Sequence, residues 1–105
     1  LDTQDELEEL LERYEVYGRE RAIAEAEYRS AYAGAYLRSG DAHGPGKVPV
    51  KEREAYAHTV TKDALQAFLL AEAMEKFTRE ALYTKRSRLD VLRTLNANLR
   101  PLVSG

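Results

Sequence analysis

Residues 39–50 read SGDAHGPGKVPV. Three glycines and two prolines fall within twelve residues, and no apolar period survives across them. On either side lie long segments rich in alanine, leucine, glutamate and arginine, which lose little side-chain entropy in a helix. The stretch is therefore a connector between two long helical segments. Helices joined by a short connector pack antiparallel. The expected fold is all-α: a long antiparallel helical hairpin, one domain over residues 1–105, completed by dimerisation into a bundle.

Upstream, the first helix is expected over 3–38. Thr3 and Glu6 have capping-box spacing, and Gly40 lies past the far end. Leu7, Leu10, Tyr14 and Tyr17 recur at 3–4 spacing, as do Ala24, Tyr28, Ala31 and Ala35; Arg21 interrupts the stripe. Gly18, inside the helix, costs about 1 kcal/mol against alanine and calls for a packing reason or a bend.

Downstream, helical character runs over 51–99. Thr59-Val60-Thr61 weakens it, with Thr61 able to cap a fresh start, so 51–58 is a candidate short third helix. The run ALQAFLLAEAM over 64–74 is too apolar on all sides for a helix with a single neighbour. Pro101 is expected to stop the last helix.

Charge is divided between the ends. Residues 2–15 carry seven acidic side chains against Arg13, and residues 79–100 carry six basic ones against Glu80 and Asp90. Antiparallel packing sets these ends side by side, and opposite charges on neighbouring helices set register. Two registers stay open. A helix restarting at 61 matches the first in length. One unbroken from 51 to 99 spans about 70 Å against about 50 Å, and its last ten to fifteen residues overhang. The overhang would be KRSRLDVLRTLNANLR, residues 85–100. Its Arg86, Arg88, Arg93 and Arg100 are candidate phosphate contacts for non-specific DNA binding. Leu89, Leu92, Leu95 and Leu99, with Phe68 and Met74, are candidate self-association residues, because a two-helix hairpin has little interior and needs another layer. The expected partners are a second copy and another protein.

Net charge is −2 at pH 7, so nothing in the overall balance demands nucleic acid, and there is no cysteine for a disulfide or thiolate site. No run approaches the ~18 apolar residues of a membrane span, and no secretory leader is expected. The chain opens on Leu1 rather than Met, leaving room for a preceding segment. These features fit a cytoplasmic setting.

Enzymatic chemistry finds little footing. Glu54 and His58 stand at i, i+4, but a helix-bundle metal site needs several such pairs. Glu9/Glu12 and Glu72/Glu75 have the E-x-x-E spacing of helical nucleotide pyrophosphatases, but that family's E-x-x-D motif is missing; a metal-dependent nucleotide hydrolase is the remote alternative. Ser30, Ser39, Ser87 and Ser104 lie in no nucleophile motif, and His43 and His58 read as surface or capping residues. The glycines of the connector belong to no phosphate loop. No cofactor is expected. Tyr28, Tyr32 and Tyr36 run along one side of the first helix among alanines. Packing rings against small residues is the favoured reading, and a base-stacking platform the other.

Residues 47–57, KVPVKEREAYA, then a long alanine-rich helix closing on RSRLDVLRTLNANLR, resemble a class of small helical phage and prophage proteins. The resemblance covers residues 44–100: a Gly-Lys connector, a V-x-E-R-E-A helix start and a terminal R-L-D-x-L-R-T-L-x-x-N-L-R. It implies a host-cell setting among early genes of recombination and replication, and supplies no catalytic residues. The expected function is that of a non-enzymatic accessory protein binding a protein or DNA component of those processes. The alternative is a protein-binding module or inhibitor of a host factor that makes no nucleic-acid contact.

Overall fold

The computed structural model describes residues 3–42 and 48–104, with side chains described over 4–40 and 48–99. The described residues form an all-α hairpin of three helices: α1 (Thr3–Ala42), α2 (Val50–Val60) and α3 (Lys62–Ser104). Helix α1 packs against α3 and, at its far end, α2. The rod measures 86 × 21 × 14 Å, so it is a single layer of two helices.

Helix α1 runs four residues past the expected end, carrying Gly40 inside the helix. The side chain of Thr3, and with it the capping box, lies outside the described residues, as do His43–Lys47 of the connector. Three i, i+4 pairs brace α1: Arg13 with Glu9 at 2.6 Å, Arg21 with Glu25 at 2.8 Å and Arg29 with Glu25 at 2.7 Å.

Helix α2 starts at Pro49, whose carbonyl accepts from the amides of Glu52 and Arg53 at 3.0 and 3.1 Å. It is nearly continuous with α3. The amide of Thr61 still donates to Ala57 O at 3.0 Å, and the amide of Leu65 to Thr61 O at 2.9 Å. Only Thr61 itself departs, at φ −101° and ψ 14°. Its buried hydroxyl donates to Ala57 O at 2.6 Å, the back-bonding that bends helices at threonine. Pro101 does not stop α3, which continues to Ser104. Proline removes the single bond its N–H would make to Ala97 O, and so near a helix end few others depend on it.

The hairpin has a thin interior. Ala35, Ala57 and Leu82 are its buried apolar side chains among the described residues, with Ser39, Thr61 and Thr78 as buried polar ones. The hydroxyl of Thr78 is satisfied by Met74 O at 2.8 Å. Along α3 the positions turned to α1 are Phe68, Ala71, Glu75, Thr78, Leu82, Lys85 and Leu89, alternating by three and four as in a coiled coil.

The tyrosine ladder packs. The Tyr28 ring stacks on Phe68 at 6.0 Å, and Tyr32 meets the edge of His58 at 5.3 Å. The Arg53 guanidinium lies over Tyr36 at 5.6 Å. Each ring thus contacts a side chain of α2 or α3, while the three tyrosines stay partly exposed. Gly40 lies under that guanidinium: a Cβ there would stand 2.8 Å from Arg53 Nη2.

Candidate functional site

The register of the hairpin places the site. Lys85 Nζ donates to Glu6 Oε2 at 2.5 Å, so the acidic start of α1 lies beside the basic part of α3. Arg21 meets Glu75, and Tyr28 meets Phe68, further along the same antiparallel seam. Carried to Thr3, these pairings reach about residues 88 to 93 of α3. Every side chain from Val91 to Leu99 is exposed. Helix α3 therefore overhangs the described part of α1, as the longer of the two sequence registers requires.

The charge complementarity anticipated between the two ends is carried, among the ion pairs of the described residues, by Lys85 with Glu6. Arg86, Arg88 and Arg93 are exposed and form no ion pair among the described residues. Arg86 and Arg93 line one side of a shallow groove whose other wall includes Gln4, Leu7 and Glu8 of α1, with Asp90 between them. Arg88 lies in a different, apolar groove with Tyr83, Thr84, Val91 and Leu92. The structure thus splits the arginines between two faces of α3. The side chain of Arg100 lies outside the described residues.

The six residues expected in self-association are also divided. Phe68 is turned inward against Tyr28, and Leu89 is half-buried beside α1. Leu92, Leu95 and Leu99 are each about half exposed, and Met74 is more than a third exposed.

The seam's polar centre was not evident from the sequence. Arg21 Nε donates to Glu75 Oε1 at 3.0 Å while its Nη1 donates to Glu25 Oε2 at 2.8 Å. The charge of Glu75, partly opposed by burial and reinforced by Glu25, raises the arginine pKa further. A Cβ on Gly18 would stand 3.0 Å from Glu75 Oε2, so this glycine makes room for the carboxylate. That is its packing reason. The sequence signal was the coincidence of a glycine and an arginine interrupting one apolar stripe. Glu72 is exposed and Glu75 is committed to Arg21, so the E-x-x-E pair does not converge. Among the described residues no three histidine, cysteine or acidic side chains are placed to hold a metal ion. No helix of the described residues is long and apolar enough to cross a membrane.

Comparison with known protein families, curated proteins and solved structures finds no significant match.

Proposed function

We propose that the chain is a non-enzymatic helical accessory module that acts by binding, through the basic, leucine-bearing end of α3, and that its counterpart is the phosphate backbone of nucleic acid in phage recombination or replication. One observation carries this reading: Arg86, Arg88 and Arg93 stand exposed without an ion pair among the described residues, although the acidic start of α1 lies beside them. Guanidinium groups presented in this way neutralise phosphates without reading bases. The phage setting rests on the resemblance of residues 44–100 alone.

The test is a titration of labelled single- and double-stranded oligonucleotides, with Arg86, Arg88 and Arg93 all changed to alanine as the control. Three phosphate contacts on duplex weaken binding about 40-fold between 50 and 200 mM salt, and the triple variant removes that dependence. Absence of binding even at 50 mM salt overturns the reading.

A second reading, a protein-binding module or inhibitor of a host factor, is favoured by the exposed Leu92, Leu95 and Leu99. Binding through them is nearly independent of salt.

A further inference from the structure

Helix α3 carries a second heptad stripe, and we infer that a second copy of the chain occupies it, α3 against α3 and antiparallel, with the two-fold axis passing between Leu82 and Tyr83. The inference does not rest on the nucleic-acid reading, and where it holds it withdraws Arg88 from that reading's phosphate contacts.

The positions turned to α1 are each preceded by a residue of the second stripe. Leu70 precedes Ala71, Met74 precedes Glu75, Phe77 precedes Thr78, and Ala81 precedes Leu82. The pattern continues through Thr84, Arg88, Val91 and Leu95. One residue is a rotation of about 100°, the angle at which a helix meets a second neighbour in a four-helix bundle. Phe77 is 69% and Leu70 65% exposed, so α1 does not cover this face.

The stripe is self-complementary when reversed. An antiparallel pair about that axis sets Leu70 against Leu95 of the partner subunit, and Met74 against Val91 of the partner subunit. Phe77 then meets Arg88 of the partner subunit, an arginine over an aromatic ring. At the axis Ala81 meets Thr84 of the partner subunit, two small residues that let the backbones approach. Every position finds a counterpart at the alternating three-and-four spacing that coiled-coil packing demands. The pairing also explains the apolar groove beside Arg88, lined by Thr84, Val91 and Leu92.

Surface area argues for this occupant. The chain exposes 8094 Å², whereas a compact monomer of 11.9 kDa exposes about 5,900 Å². The excess, about 2,000 Å² per chain, lies in the range that permanent dimer interfaces bury. A radius of gyration of 23.8 Å, against about 13 Å for a compact domain of this length, says the same. In this dimer Arg88 is spent in the seam, and Arg86 and Arg93 remain for an anionic ligand.

The chain has no cysteine, which makes the test direct. Sedimentation equilibrium at tens of micromolar is expected to return twice 11.9 kDa. Met74→Cys and Val91→Cys are then made in separate chains and oxidised. An equimolar mixture is expected to form interchain disulfides about tenfold faster than either variant alone, since only the mixture places the two thiols opposite each other. Phe77→Asp is expected to halve the mass while the far-ultraviolet helical signal persists. Three results would each overturn the inference: a monomeric mass for the unmodified chain, single-cysteine variants that link as fast as the mixture, or Phe77→Asp remaining dimeric.

Discussion

Glu75 accepts a hydrogen bond from Arg21 Nε at 3.0 Å, across the seam between α3 and α1. Both residues occupy positions of the coiled-coil stripe where apolar side chains would bury more surface. The pair therefore selects a register at some cost in stability, as polar residues at core positions of coiled coils do. Glu75→Leu alone is expected to lower the melting temperature, because it strips Arg21 of its partner across the seam. Arg21→Leu combined with Glu75→Leu is expected to raise it above the unmodified chain and to broaden the transition. Circular dichroism melts of the three proteins check both directions.

Gly18 is coupled to this pair through space. Alanine there gains about 1 kcal/mol of helix propensity, but its Cβ would lie 3.0 Å from Glu75 Oε2. The gain is expected to appear in full in a Glu75→Ala background and to shrink by about 0.5–1 kcal/mol when Glu75 is present. A double-mutant cycle by urea denaturation measures the difference; simple additivity would sever the link between the two residues.

The interior is thin enough for single residues to matter. Leu82 is 6% exposed, the largest of the buried apolar side chains, and Leu82→Ala is expected to cost about 2–3 kcal/mol. Leu37, at 66% exposed, is expected to cost less than about 0.5 kcal/mol on the same change. Equal losses at both sites would mean that the seam does not run where the structure places it.

Tyr32 supplies a pH dependence. Burial first, then the charge of Glu54 and the neighbouring Tyr28 and Tyr36, raise its pKa above 10.0. The fold thus favours the neutral phenol. That contribution is complete below the unfolded value near 10.0 and is lost as pH rises through the higher folded value. Melting temperatures followed above pH 10.0 are expected to fall, and to fall less steeply in Tyr32→Phe. Parallel curves for the two proteins would contradict the assignment.

Much of the architecture was legible in the sequence because it depends on local chemistry. The Gly/Pro connector marks the hairpin, and the 3–4 spacing marks the seam from Leu7 through Tyr28. The apolar excess of ALQAFLLAEAM anticipated a face that α1 does not cover, and Leu70 lies on it. The division of Arg86, Arg88 and Arg93 between two faces was not legible, since the three were read as one basic cluster by composition rather than by angle around the helix. The Arg21–Glu75 pair was missed for a different reason. It joins residues 54 apart, and no local period couples them. Pro101 misled because its effect depends on how much helix follows it.

The hairpin register leaves residues 94–99 of α3 beyond the described part of α1. The most direct test is a spin-label distance between Glu8→Cys and Asn98→Cys, with labelled chains diluted into unlabelled protein so that only intrachain pairs are read. The overhanging register places these backbones roughly 20 Å apart, and a fully paired hairpin places them roughly 12 Å apart. A distribution centred near the longer distance is the predicted result, and one centred near the shorter would contradict the overhang and the surfaces argued from it.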